Sequence, residues 1–266
     1  MFKKNLPNFL TLCNLFCGCL AIVFASEGNL IWGAYAVGIA CLFDFMDGMA
    51  ARVLNVNSEI GKQLDSLADM VSFGVVPGII LYQCMSKAIV FSAFAGTPAS
   101  LIEVYKTISE YQKPIASISF LVTIFSAIRL AKFNLDDRQT DSFIGLPTPA
   151  NTLVIASFPL IINSAIINTS FDLISFCSNP FLLIFITLFS CFMLVAPLPL
   201  FSLKFKNFSW TDNKMRYILL FSAVVLLALF QFMGIPLIIF LYIILSVINN
   251  LFTNKSIWLS SKQKSM

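Results

Sequence analysis

Four aspartates carry the chemistry that this sequence can perform. Asp44 and Asp47 lie in the run Leu42–Phe43–Asp44–Phe45–Met46–Asp47–Gly48–Met49–Ala50–Ala51–Arg52, and Asp65 and Asp69 follow Gly61 at four-residue intervals. On a helix turning 100° per residue, Asp44, Asp47, Gly48, Ala51 and Arg52 stand at i, i+3, i+4, i+7 and i+8 and so share one face. Gly61, Asp65 and Asp69 share a face of the next helix at i, i+4 and i+8. Between the two runs, Val53 to Ile60 includes Asn55, Asn57 and Ser58, residues suited to a turn. A helix–turn–helix here would aim both acidic faces at each other.

Four converging carboxylates need a reason to exist inside apolar helices. One Asp at the membrane centre costs roughly 2.5–3.5 kcal/mol, so four deep ones would approach about 10–14 kcal/mol, and their mutual repulsion adds to this. Bound divalent cations would remove both costs, and the hard oxygen donors favour Mg2+ or Mn2+ over Zn2+. Gly48 and Gly61 leave the backbone open to a phosphate or nucleotide, and Arg52 offers a planar cationic fork for phosphate. Together these features predict phosphoryl chemistry on a diphosphate. The plainer alternative has the aspartates facing water at helix ends and pairing with Arg52 and Lys62. That reading suits one Asp better than four in register with two glycines and an arginine.

The elements that must position these residues are membrane helices. The chain has 266 residues, of which 58% are hydrophobic and 11% charged, with 28 Phe and no His. Soluble domains carry about 25% charged residues, so the solvent here is lipid. Apolar runs near the ~20 residues needed to cross the hydrocarbon begin near Asn8, Leu30, Leu64, Pro114, Pro149, Pro180, Met215 and Ile235. This predicts an all-α polytopic membrane protein of about eight transmembrane helices, read as one domain over residues 1–266. The last two helices form a tight hairpin around Gly234 and Pro236. Leu101, Val104, Tyr105 and Ile108 share a helical face within the ambiguous stretch 86–113, which reads equally as a short interfacial helix or a loop.

Val23–Phe24–Ala25 loosely matches a small-residue cleavage site, but Asn8, Thr11 and Asn14 interrupt the run before it, so the first segment is expected to be retained. With both termini cytoplasmic, 14 of the 17 Lys and Arg fall inside, leaving only Lys87, Lys106 and Lys113 outside. That bias predicts an acidic site at the cytoplasmic face of the bilayer. No basic cluster is interleaved with aromatics, which argues against a nucleic-acid partner. The absence of His removes the Ser-His relay and a His-held zinc. The seven cysteines lie mostly in apolar runs and read as packing residues.

The aspartate pattern resembles the signature of the CDP-alcohol phosphatidyltransferase family, D-x-x-D-G-x-x-A-R, eight residues, then G-x-x-x-D-x-x-x-D. Every element is present as Asp44, Asp47, Gly48, Ala51, Arg52, Gly61, Asp65 and Asp69. The resemblance implies a six-helix core, to which two C-terminal helices are added here, and a homodimer. It also implies a two-metal site held by Asp44, Asp47, Asp65 and Asp69, with Asp69 as the general base. Asp44, Gly48, Ala51, Arg52, Gly61 and Asp65 would line the pocket for CDP and its phosphates. The donor would be CDP-diacylglycerol, with CMP leaving.

Further segments resemble the bacterial branch that uses L-serine as acceptor. They are Pro7 to Asn14, Asp65 to Gly74, Arg129–Leu130–Ala131–Lys132–Phe133–Asn134 and Gly145–Leu146–Pro147–Thr148–Pro149. Arg129 and Lys132 then become candidates for binding the acceptor or a phosphate, or else a pair that sets topology against lipid head groups. Glycerol 3-phosphate and an inositol phosphate are the rival acceptors. An intramembrane prenyltransferase would leave Gly48, Ala51, Arg52 and Gly61 unexplained. An Asp-lined transporter would be expected to repeat its acids in the second half of the chain.

Overall fold

The computed structural model describes residues 2–56, 58–94, 114–135, 142–201 and 209–253. It opens with an antiparallel pair, α1 (Phe2–Ser26) and α2 (Leu30–Val53), joined by a turn in which Gly28 takes φ +82°. Small residues set their spacing. A Cβ on Gly33 would meet the Ala21 carbonyl oxygen at 3.4 Å and the Ala25 Cβ at 3.6 Å. Such close backbone approach is how membrane helices associate without a hydrophobic driving force between them.

The next stretch is continuous but not uniform. α3 (Glu59–Asp69) starts at Ser58, whose hydroxyl accepts from the Gly61 N–H at 2.9 Å and so satisfies a free donor of the first turn. Residues Met70–Val75 are π-helical, and α4 (Val76–Phe94) continues as an ordinary helix. A 3-10 turn, Ser117–Phe120, leads into α5 (Leu121–Leu135), and α6 (Thr148–Ile167) follows with Pro149 in its first turn. The short α7 (Phe171–Cys177) and α8 (Pro180–Val195) meet at 51°. The chain ends in α9 (Trp210–Phe230) and α10 (Gly234–Thr253).

This is an all-α polytopic membrane protein, although the expected eight spans are not what length and hydropathy alone deliver. Among the described residues, six helical stretches are long and apolar enough to cross a bilayer, or seven if bent α7–α8 is one span. The difference from eight lies at the C-terminus, where 213–250 counts as one 38-residue stretch. Its break falls at Gln231, with φ +50°, rather than at Gly234 or Pro236. The interfacial segment around Leu101 lies outside the described residues, as does Arg138.

One feature was not expected of an all-α chain. β1 (Ser142–Ile144) pairs antiparallel with β2 (Pro199–Phe201), tying the start of α6 to the end of α8. Gly145 sits beside this ladder with φ +77°, and a Cβ there would lie 2.6 Å from the Leu194 carbonyl oxygen. The N–H groups of Gly145 and Leu146 donate to the Leu198 and Met193 carbonyls, each at 2.9 Å. The Gly145–Leu146–Pro147 run therefore docks backbone on backbone and launches α6 from a fixed point.

The main core joins α1, α2, α4, α5, α6 and α8 through Ala21, Val37, Ile80, Leu81, Met85, Val122, Ile155 and Leu183. Large apolar residues on the outer faces, Phe45, Phe181 and Phe221 among them, are exposed, as expected where the surroundings are acyl chains.

Candidate active site

Three helices meet at one end of the bundle around a cavity of about 210 Å3. α1 contributes Pro7, Asn8 and Thr11, the last turns of α2 contribute Asp44, Asp47, Gly48 and Ala51, and α3 contributes Gly61, Lys62 and Asp65. Val56 and Ser58 close the wall from the intervening turn, where Asn55 takes the left-handed conformation, φ +50°, that Asn tolerates. The two acidic faces drawn from helical spacing do oppose each other.

Asp44, Asp47 and Asp65 each place a carboxylate oxygen so that all three lie within 4.8 Å of one another. This all-oxygen set is one that could hold a hard divalent cation. Asp69 lies one turn beyond Asp65, with its carboxyl against that of Asp44 and reached by the Asn14 side-chain amide at 3.3 Å. It stands outside the close triad. The four acids thus divide into three at the cavity and one beneath it.

The remaining residues of the pattern separate as well. Gly48 faces open space, since a Cβ there would meet nothing nearer than the Arg52 Nη1 at 3.8 Å. Gly61 is closed in, because its Cβ would fall 2.8 Å from the Ser58 Oγ and 3.0 Å from the Asn8 Oδ1. Gly48 therefore leaves room for a ligand, while Gly61 lets α1 and the Ser58 cap come close. Ala51 lines the cavity, whereas Arg52 is exposed at its rim and is not part of the lining.

Arg129 and Lys132, adjacent candidates in the sequence, go different ways. Arg129 is buried, within electrostatic reach of Asp69 and Tyr242, with its guanidinium carbon 5.7 Å from the Phe133 ring centre. Lys132 is exposed on the last turn of α5.

Residues of α1 complete the site and had not been assigned to it. Thr11 Oγ1 donates to Asp47 Oδ2 at 2.6 Å, closer than its alternative acceptor, the Pro7 carbonyl, at 3.1 Å. Asn14 is fully buried, and its carbonyl accepts from the Ser72 hydroxyl at 3.2 Å. Their signal was the polar spacing Asn8, Thr11, Asn14 within an apolar run, which marks a buried stripe toward a partner helix. Lys62 also lines the cavity.

Comparison with known proteins gives a consistent picture. The CDP-alcohol phosphatidyltransferase family model matches residues 4–195, so it includes the whole site and stops before α9. A CDP-diacylglycerol–serine O-phosphatidyltransferase of Helicobacter pylori is 28% identical over 255 residues, covering 92% of this chain and 91% of that one. The Bacillus subtilis protein of the same name is 34% identical over 155 residues, covering 58% and 75% respectively. An archaetidylserine synthase of Methanothermobacter thermautotrophicus is 30% identical over 158 residues, covering 58% of each chain. With an opposed aspartate site of this form and a match across most of its length, the chain belongs to the CDP-alcohol phosphatidyltransferase family.

Proposed function

We propose that this protein transfers the phosphatidyl group of CDP-diacylglycerol to L-serine, giving phosphatidylserine and CMP. The observation that carries the reading is the convergence of Asp44, Asp47 and Asp65 at the cavity with Asp69 directly beneath. Similarity to serine-using relatives, one of them along nearly the whole chain, supports the acceptor.

The chain's own groups divide the work. Asp44, Asp47 and Asp65, with Asp69 at the inner edge, would hold two divalent cations, Mg2+ or Mn2+. When bound, these supply charge neutralisation for the diphosphate and the departing CMP. Thr11 orients Asp47, and Asn14 orients Asp69. Asp69 takes the proton of the serine hydroxyl as that oxygen forms its bond to the phosphorus nearest the lipid. The bond from that phosphorus to the bridging oxygen breaks, and the electron pair leaves with CMP. Gly48 and Ala51 give the nucleotide diphosphate access to the α2 backbone, with Arg52 at the rim as a phosphate partner. Arg129 faces the acceptor side of Asp69, while exposed Lys132 suits head groups of the surrounding lipid.

The site is assigned to the cytoplasmic face, with both termini on the same side, on the strength of the Lys and Arg distribution. The chain is read as one domain acting as a homodimer. Product identification from CDP-diacylglycerol with a panel of alcohols is the direct test. Phosphatidylserine and stoichiometric CMP are expected, and turnover of glycerol 3-phosphate without any of serine would remove the acceptor assignment. For orientation, single cysteines on a cysteine-free background near Asn57 and Arg138 should resist an impermeant reagent in sealed cells, while one near Thr107 reacts. The opposite labelling pattern would invert the topology.

A further inference from the structure

Beside Asp69 the bundle buries hydrogen-bond donors that have no partner. They lie on α5 and α6, and the π-helical segment shows how those helices are aligned with it. Gly78 faces Phe120 and Thr123, and Gly74 faces Ser126, so α5 runs antiparallel to the Asp69–Gly78 stretch. Thr123 Oγ1 donates to the Gly74 carbonyl at 2.9 Å, and Thr152 Oγ1 lies 2.9 Å from the Phe73 carbonyl. One further turn along α5 from Ser126 brings Arg129 beside Met70 and Asp69. One turn back along α6 from Thr152 brings Thr148 to the same height, about 6 Å below the Phe73 level at 1.5 Å per residue. Two contacts agree with this placement. Arg129 lies within electrostatic reach of both Asp69 and Tyr242, and Tyr242 packs in the same cluster as Leu146, two residues before Thr148.

At this height Arg129 is 6% exposed and Thr148 1%, and Asn151, three residues on along α6, is 2% exposed. On α1 the Asn14 Oδ1, an acceptor, is unpaired, while on α5 and α6 the Arg129 Nε, Thr148 Oγ1 and Asn151 Nδ2 have no hydrogen-bond partner among the described residues. Two of the groups on α5 and α6 can only donate, and the hydroxyl can donate. Leaving a neutral donor buried and unpaired costs about 1–3 kcal/mol, more for a charged one. The first turn of α6, a 20-residue helix, adds the positive end of its dipole at the same place and the N–H groups of Thr148 and Ala150, since Pro149 has none and that of Asn151 donates to the Pro147 carbonyl at 3.0 Å. A group that satisfies only donors is an acceptor, and beside a guanidinium it is an anion.

We propose that Arg129, Thr148 and Asn151, with the first turn of α6, form the subsite that holds the α-carboxylate of the amino-acid acceptor. The proposal rests on the serine reading above and adds Thr148 and Asn151 to it. In serine the carboxylate and the hydroxymethyl group share one carbon. A carboxylate fixed here presents its hydroxyl to Asp69, and an alcohol without the carboxylate leaves the donors unpaired.

The test uses the purified full-length protein with CDP-diacylglycerol and two acceptors, L-serine and L-serinamide, which keeps the hydroxyl and amine but lacks the negative charge. Thr148→Val and Asn151→Leu are expected to raise the KM for L-serine at least about tenfold each, the loss of one buried hydrogen bond to a charged group. The KM for CDP-diacylglycerol should move less than about twofold, since these donors serve the acceptor alone. The preference for L-serine over L-serinamide should shrink by the same factor as the serine KM rises, and Thr148→Ser should restore it. Thr148 variants are nearly isosteric, so the valine–serine pair still reads the hydroxyl if Asn151→Leu fails to fold. An unchanged serine KM in Thr148→Val, or equal losses with both acceptors, would overturn the subsite while leaving serine as the acceptor. If the unsubstituted protein releases CMP with other alcohols and never with serine, the acceptor reading fails and the carboxylate subsite fails with it.

Discussion

The acidic cleft and the C-terminal hairpin are both built from long apolar helices, yet they are held in place by different means. Around the cleft, contacts are short and polar: Thr11 on Asp47, Asn14 on Asp69, Ser72 on the Asn14 carbonyl and Ser58 on the Gly61 N–H. α9 instead turns large side chains outward, with Phe221 74% and Leu229 70% exposed. The hairpin meets the body through Leu219, Tyr242 and Leu245 and through hydrogen bonds from α10. Tyr242 donates to the Phe201 carbonyl at 2.8 Å and Asn250 to the Pro199 carbonyl at 2.5 Å. The family match ends at residue 195, before the hairpin begins. Chemistry on a diphosphate demands ligands held to a fraction of an ångström by neighbours that are themselves held. Anchoring in lipid demands only length, hydropathy and a few attachment points.

Substitutions in the two regions should therefore differ in kind. The largest effect is expected from Asp69→Asn, which keeps shape and hydrogen bonding but cannot take a proton. CMP release should fall about 10²–10⁴-fold, the usual worth of a general base, while the protein elutes as a folded species in detergent. Near-normal turnover at saturating Mg2+ or Mn2+ would remove Asp69 from that role.

Thr11→Val should come next. It removes the hydroxyl on Asp47 and leaves every carboxylate in place, so apparent metal affinity should drop about 10–100-fold, as for other partners of metal ligands. Titrating CMP release against Mn2+ reads this directly. A loss of maximal rate without a shift in the metal midpoint would show that Thr11 acts elsewhere.

The smallest effect belongs to the hairpin. Asn250→Leu leaves the Pro199 carbonyl without its donor and should cost about 1–3 kcal/mol of stability, seen as a lower unfolding midpoint in detergent. The metal midpoint and the KM for CDP-diacylglycerol should stay as they are. If either moved severalfold, the hairpin would be part of the catalytic apparatus and the contrast would dissolve.

Legibility in the sequence follows the same division. The aspartate faces could be read because a rigid 3.6-residue period converts spacing into direction, and the structure opposes Asp44 and Asp47 to Asp65 accordingly. The turn at Asn55 and Ser58 was readable from side-chain chemistry. Arg129 and Lys132 looked alike because they are three residues apart on the same helix. Their difference, one buried beside Asp69 and one exposed, depends on where α5 ends and which neighbours flank it. Asn8, Thr11 and Asn14 registered as interruptions of an apolar run, since a polar residue in such a run can face water, head groups or a partner helix. The β1–β2 ladder, with three residues per strand, is too short to leave a period. The π-helical segment changes the hydrogen-bond register without changing composition.

That segment separates two properties usually tied together in a helix, its length and its phase. Over 59–89 the backbone crosses as a single rod of 31 residues, but the π-helical turn, whose bonds span five residues instead of four, takes in one extra residue and so inserts a single step of about 100° into the winding. The carboxylates below Met70 and the packing face beyond Val75 therefore belong to one rod turned as two. Thr123 and Thr152, standing at the Gly74 and Phe73 carbonyls, act as the keys that stop the upper half from rotating back into line. The lipid-buried half can be repacked to suit its neighbours without turning the acids away from Asp44.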